Sequence, residues 1–240
     1  MTGRIDVHSH LLPGVDDGCE TIEDSMACAR SLVAAGYTHS FCTPHIWPPH
    51  NLPTAGTIPQ WTAGLQSVFD REKIPLKLMP GGEINMRPEI QDWPDDRIVT
   101  YGMAGKFVLF DIWADVLPEF FEPNVRWLQS RGLTTILAHP ERMRAVQDNP
   151  NLADDFENMG LLLQGNLQCL ADHPDAMTRR IGERYLRDGR YFMLGTDLHN
   201  PQSLPHRLAG LQNAIRWMGD VFVDRLTKVN PAKLLEGVEA

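Results

Sequence analysis

Short apolar runs alternate with longer amphipathic ones along most of the chain. Residues 5–7 open it as a strand. A helix follows over 21–35, where Ile22, Met26, Ala29, Leu32 and Val33 recur at helical spacing and Thr21 with Asp24 forms an N-terminal capping box. Gly36 stops that helix. Residues 37–42 read as a second strand, 46–58 as a Pro-rich irregular loop and 59–71 as a helix. The third strand is 74–79, and 85–100 reads as a broken helix. The fourth strand (107–110), a helix (123–131) and the fifth strand (133–138) come next. A helix at 151–159, the sixth strand at 161–164, a helix at 176–187 and the seventh strand at 191–194 continue the pattern. Two closing helices, 204–218 and 221–235, complete it.

Seven strands alternating with helices predict parallel βα units, and a closed or nearly closed barrel is their natural architecture. In such barrels the active site lies at the C-terminal ends of the strands. Polar clusters fall at that end of strands one to five and seven.

Composition narrows the reading. The 240 residues, 42% of them hydrophobic, suit one globular domain spanning 1–240, with no linker-like run inside it. A net charge of −9 argues against a nucleic-acid partner, although bound cations would still allow an anionic substrate. No stretch is long and apolar enough to span a membrane, and residues 1–18 lack a signal peptide's apolar core, so a cytoplasmic location is expected. Cys19, Cys28, Cys42 and Cys169 have no CxxC or zinc-finger spacing and read as reduced thiols.

The chemistry begins in Ile5-Asp6-Val7-His8-Ser9-His10. Residues two apart on a strand point the same way, so His8 and His10 leave it side by side. With Asp17, His45, Glu83, Asp111, His139, Asp197 and His199, nine candidate ligands stand near strand ends. Four carboxylates and five imidazoles on one rim carry a large electrostatic cost unless cations join them. The mixed N/O set suits manganese, iron or zinc, and it exceeds what one tetrahedral ion needs, so two or three metals are implied. Arg142, three residues after His139, offers a planar fork for phosphate oxygens; its bland alternative is a surface pair with Glu141 or Asp148. Trp47, Pro48 and His50 are candidate walls of a substrate mouth.

The stretches Ile5 to Gly18, Cys42-Thr43-Pro44-His45, Gly82-Glu83, Leu137-Ala138-His139-Pro140-Glu141-Arg142, Gly195-Thr196-Asp197-Leu198-His199-Asn200 and Asn230-Pro231-Ala232-Lys233-Leu234-Leu235 together resemble the polymerase-and-histidinol-phosphatase (PHP) family. Within it they are similar to the bacterial capsule-type tyrosine-protein phosphatases. The resemblance implies a distorted (β/α)7 barrel with three metals, usually manganese. It would place His8, His10, Glu83 and Asp197 on one metal, Glu83, Asp111 and His139 on a second, and Asp17, His45 and His199 on a third. Asp16 would be supporting or structural. Asp111 stands where the family usually has Glu, and a seven-residue stretch (200–206) separates the last His motif from Arg207, unlike the family's spacing.

The function expected is phosphomonoester hydrolysis, foremost of phosphotyrosine on a bacterial tyrosine kinase or polysaccharide-assembly protein. No cysteine begins a C-x5-R loop, since Pro48 stands six positions after Cys42, so attack by metal-bound hydroxide is expected instead. Arg142, Asp197 and His199 are the catalytic candidates. The alternatives are a PHP phosphoesterase acting on histidinol phosphate or a nucleotide, an amidohydrolase-type metal hydrolase, and a non-catalytic binding barrel. Oligomerisation is left open.

Overall fold

The computed structural model describes residues 3–47, 53–171 and 175–236. It is a mixed α/β fold with parallel sheets. Strand β1 is Arg4–Ser9, β2 Tyr37–Cys42, β3 His45–Ile46, β4 Lys77–Pro80, β5 Glu83–Asn85, β6 Phe107–Asp111, β7 Thr134–Ala138, β8 Leu162–Asn166 and β9 Tyr191–Gly195. All paired strands run parallel, in the orders β1-β2-β4 and β3-β5-β6-β7-β8-β9. Helices α1 (Ile22–Ala34), α2 (Thr57–Arg71), α3 (Phe121–Ser130), α4 (Arg144–Asp148), α5 (Leu152–Asn158), α6 (Ala176–Arg187) and α7 (Leu204–Met218) connect and cover them.

The second expected strand forms over its full range as β2, the third begins three residues late as β4, and each is followed by a short strand that was not expected, β3 and β5. Pro44, which cannot donate to a ladder, separates β2 from β3, and Gly81-Gly82 separates β4 from β5. The chain bonds across this kink, Glu83 N–H donating to Pro44 O at 3.0 Å. A Cβ on Gly82 would meet Ile46 Cδ1 at 2.6 Å and Val99 Cβ at 3.0 Å, so a larger residue would have to displace these packed side chains. The two sheets also meet at their other border. Asp197 N–H donates to His8 O at 2.7 Å, His10 N–H donates to Leu198 O at 2.9 Å, and Ser9 bridges to Leu198 in parallel.

Alternation along the strands separates two cores. Ile5, Val7, Phe41, Leu109, Ile136 and Met193, from β1, β2, β6, β7 and β9, meet one another in one compact cluster that Leu234 caps. Neighbours of opposite parity, such as Val108, Phe110, Leu137 and Leu194, pack into the larger core with the helices. In α1, Cys28, Ala29 and Leu32 supply the buried stripe, and the Thr21–Asp24 capping box is present. The four cysteines are free and buried.

The chain departs from the sequence expectations mainly where it lacks periodicity. Residues 85–100 are short 3₁₀ turns, Pro88–Asp92 and Asp95–Arg97, rather than a broken α-helix. The last helix begins beyond Gly219 (φ 81°), is wound as a π-turn over Arg225–Val229, and meets Pro231, which has no N–H for the helical ladder. Among the described residues, no helix is long and apolar enough to cross a membrane.

Candidate metal centre

The nine expected side chains converge at the C-terminal ends of the strands. His8 lies at the end of β1 and His10 just beyond it; His45 and Glu83 open β3 and β5 past the kink; Asp111 ends β6. His139 follows β7, and Asp197 and His199 follow β9. Register between β1 and β2 shifts between Asp6 and Ser9, an irregularity of the kind that re-aims side chains beside sites. His139 (φ 33°) and Asp197 (φ 50°) both hold left-handed backbone conformations, which cost non-glycine residues about 1–3 kcal/mol each. Two candidate ligands are thus held in strained positions by their surroundings.

Four overlapping groups form, each with donor atoms within 4.8 Å of one another: His8–His10–Asp197, His8–Glu83–His139, His45–Glu83–Asp111 and His10–Asp17–His45–His199. Glu83 belongs to two groups and lies at their junction. Its Oε2 is 2.8 Å from His45 Nδ1 and 3.2 Å from His8 Nε2, and its Oε1 is 3.0 Å from His139 Nε2. Asp111 and His139 each join Glu83, but in separate groups, whereas the family resemblance puts all three on one metal.

Hydrogen bonds behind the ligands decide which imidazole nitrogens face inward. Gln164 Oε1 sits 2.8 Å from His8 Nδ1, and Asp16 Oδ2 lies 2.7 Å from His10 Nδ1. Both partners accept, so Nδ1 carries a proton and Nε2 is the nitrogen left to give its lone pair to a cation in place of a proton. Those two Nε2 atoms are 3.3 Å apart and face the carboxylates of Glu83 and Asp197. Likewise His199 Nδ1 donates to Asp197 O at 2.8 Å, turning Nε2 toward Asp17 Oδ1 at 3.5 Å. Glu83 Oε2 and His45 Nδ1 are buried and face each other at 2.8 Å, yet they are not aligned as a hydrogen bond. Lone pairs and carboxylates facing one another in a dry pocket need a cation between them. The donor set therefore fits divalent metals.

The proton equilibria carry the same demand. Burial opposes charge on His8 and His10, yet Glu83, Asp197 and Asp16 outweigh it and raise both imidazoles. His45 is raised to about 10; burial is the largest influence and opposes this, but Glu83 and Asp17 overcome it. Burial pushes Asp111 up to about 7, helped by the charge of Glu83. His139 is lowered by burial and by Arg142. Counting only the protein's own groups, protons supply the countercharge that metals would supply.

Several supporting residues escaped the sequence reading. Asn166 Nδ2 donates to Asp197 Oδ2 at 2.7 Å, and its backbone N–H donates to buried Glu141 at 2.7 Å. Tyr191 donates to the same Glu141 carboxylate. Gln164 and Asn166 lie at the end of β8, the one expected strand for which no polar cluster was expected. Their polarity beside a buried run is the signal available. Asp16 accepts from the backbone N–H of His45 at 3.0 Å as well as facing His10, a supporting geometry.

Arg142 pairs with neither of its bland partners. Its Nη1 donates to Asp197 Oδ2 at 3.0 Å, and half of its side chain is exposed. Glu141 is buried against Asn166, and Asp148 pairs with Arg144. Arg207 is buried instead, its Nε donating to Asp197 O at 2.9 Å, so it braces the loop from beneath. Trp47 stacks on His45 with centroids 4.6 Å apart; Pro48 and His50 lie outside the described residues. Trp113, not anticipated, meets Trp47 edge to face at 4.5 Å.

A parallel α/β fold that gathers five imidazoles and four carboxylates at one end of its strands defines a protein with a candidate multinuclear metal centre. More particularly, the chain belongs to the family described as capsular polysaccharide synthesis, CpsB/CapC, whose family profile matches residues 4–236. It is similar to the tyrosine-protein phosphatase YwqE of Bacillus subtilis, 29% identical over 204 residues that cover 82% of this chain and 77% of that protein. Among solved structures it resembles a chain from work on YwqE of Bacillus subtilis and CpsB of Streptococcus pneumoniae, described as unique metal-dependent tyrosine phosphatases. That match has a TM-score of 0.87 at 26% identity and covers 98% of this chain and 95% of the other. A histidinol phosphate phosphatase of Lactococcus lactis, bound to zinc, histidinol and phosphate, shares the fold alone, at 15% identity and a TM-score of 0.57, over 90% of this chain and 94% of that one.

Proposed function

We propose that this chain is a metal-dependent protein-tyrosine phosphatase. The observation that carries the reading is the inward-facing set of His8 and His10 lone pairs, Glu83 and Asp197 carboxylates, with the half-exposed Arg142 guanidinium beside it. Family membership and the phosphatase names of its relatives support it.

His8, His10, Asp17, His45, Glu83, Asp111, His139, Asp197 and His199 would hold two or three divalent ions. Manganese is the first choice, with iron or zinc as alternatives. When bound, such ions polarise phosphoryl oxygens and activate water at neutral pH. The chain's own residues do the rest. Arg142 binds phosphate oxygens through a fork already aimed at the centre by Asp197. Asp197 and His199, linked through the Asp197 carbonyl and braced by Arg207, form the wall against which the phosphoryl group is oriented. Gln164, Asp16 and Asn166 fix ring tautomers and carboxylate rotamers before substrate arrives.

The architecture belongs to the same reading. β3 continues β2 and β5 continues β4, leaving seven staves, and the β9–β1 backbone bonds support a (β/α)7 barrel of the PHP type formed by a single 1–240 domain. The partner would be a phosphotyrosine protein of the cytoplasm, such as a bacterial tyrosine kinase or a polysaccharide-assembly protein. Elemental analysis of the isolated protein, together with a panel of phosphotyrosine, phosphoserine, nucleotide and histidinol phosphate substrates, tests the proposal. Phosphotyrosine peptides should give the highest kcat/KM, and chelation should abolish turnover. A higher value for histidinol phosphate or a nucleotide would transfer the site to small-molecule phosphoesterase chemistry.

A further inference from the structure

Beside the candidate metal centre lies a cavity of about 390 Å³ whose lining includes the apolar Trp113 and Met143, the candidate ligand His139, and the charged Arg142, Arg144 and Asp115. Trp113 is unusual for so large an apolar side chain. It is 60% exposed, yet its orientation is fixed. Its indole Nε1 donates to Asp111 Oδ2, whose other oxygen accepts from Asn85 Nδ2 at 2.9 Å. Its ring also meets Trp47 at 4.5 Å and 77°, and lies edge-on to His45 at 5.9 Å. An exposed indole that is hydrogen-bonded at its polar edge and propped by a second indole is a preorganised aromatic surface.

Resting on the phosphatase reading above, we propose that Trp113 is the specificity-determining residue for aryl phosphates: it forms the platform for the substrate's phenyl ring in the Trp113–Met143 cavity, while the phosphate lies toward Arg142 and His139. The arrangement follows from chemistry. A phosphotyrosine carries its phosphate at the far end of a flat ring, so a site that selects it needs an apolar wall one ring away from its phosphate contacts. Arg142 and Trp113 line one cavity and supply one contact of each kind. The thioether of Met143 adds a polarizable contact suited to a ring edge. An alkyl phosphate has no face to stack there.

The Asp111–Trp113 hydrogen bond gives the shorter acid a use. A carboxylate at this position reaches both the candidate metal group it shares with His45 and Glu83 and the indole at the rim. Platform and centre are thereby held in one geometry.

The test uses the metal-loaded full chain and the variants Trp113→Ala and Trp113→Phe. Three readouts are taken: metal content, kcat/KM on a phosphotyrosine peptide and its phosphoserine counterpart, and calorimetric binding of a peptide carrying the non-hydrolysable phosphonomethyl-phenylalanine. Trp113→Ala should weaken binding of that analogue about tenfold and lower the tyrosine-over-serine preference by a similar factor. Metal content in excess metal should stay at the wild-type ratio, because Asn85 still holds Asp111. Trp113→Phe, which keeps a ring but loses the Nε1 anchor, should recover most of the affinity. Wild-type protein that turns over phosphotyrosine while Trp113→Ala binds the analogue unchanged would overturn this inference and leave the phosphatase reading standing. Equal losses on both peptides would overturn it too, since the ring would then not be what Trp113 recognises. Wild-type protein that neither binds nor hydrolyses the aryl phosphates would overturn both.

Discussion

Arg142 and Asn166 bond to the same oxygen of Asp197, at 3.0 and 2.7 Å, and they should fail differently when cut back. Arg142 is half exposed and free to turn to a phosphate. Arg142→Ala should leave metal content intact and lower kcat/KM about 10- to 100-fold, the scale of a charge-assisted hydrogen bond. A rise in KM alone would mean equal contact in ground and transition states; a fall in turnover would mean the contact strengthens during reaction. Asn166 is buried, and its only offering to the centre is Asp197's orientation. Asn166→Ala should weaken metal binding itself, by about 10- to 100-fold in a metal titration. The protonation of the imidazoles supplies a further expectation. Counting only protein groups, His45 holds its proton up to about pH 10, and His8 and His10 are also raised. A metal must displace those protons, so affinity should rise with pH across the neutral range, and loading near pH 7 should release protons. Calorimetry in buffers of different ionisation enthalpy reads that release directly. Metal uptake independent of both pH and buffer would contradict it.

At the scale of elements, helix α7 is the brace of the β9 loop, because Arg207 on it holds the Asp197 carbonyl. The helix approaches the chain after β8 so closely that a Cβ on Gly210 would fall 1.8 Å from Leu167 O. Gly210→Ala must push α7 outward and should destabilise the protein by about 1–3 kcal/mol or more, visible as a lower denaturant midpoint. Because the same helix carries Arg207, metal affinity should fall with it. A variant with wild-type midpoint and affinity would show that the contact relaxes at no cost. Elements with strong local signals were legible in sequence: α6 and α7 run over 176–187 and 204–218 as expected, and the Thr21 cap is where its spacing puts it. The short strands β3 and β5 beyond Pro44 and Gly81-Gly82 and the π-turn near the end were not. Those are set by how neighbouring segments approach one another, and no local period encodes an approach.

For the whole molecule, the candidate ligands come from β1, β3, β5, β6 and the segments after β7 and β9, so a bound ion ties distant parts of the chain together. An ion that binds the folded form alone adds about 2.7 kcal/mol of stability at a concentration 100 times its Kd. Manganese should therefore raise Tm, a chelator should lower it, and Asp197→Ala should lose most of the response; a Tm indifferent to metal in the wild type would refute the cluster. What the sequence determined by itself was the list of chemical groups and the order of elements. Nine ligand candidates, the alternating βα pattern and the absence of a cysteine phosphate loop are all properties of residue type and spacing. Grouping was decided only by the tertiary structure. It brought Asp111 within reach of His45 and Glu83, buried Arg207 beneath the Asp197 carbonyl, set a half-exposed Arg142 against the Asp197 carboxylate, brought Gln164 and Asn166 behind the candidate ligands, and raised Trp113 at the rim. The reason is physical: residue type fixes which interactions a side chain can make, whereas strand register, kinks and strained dihedrals fix which partner lies within the few ångströms where it makes them.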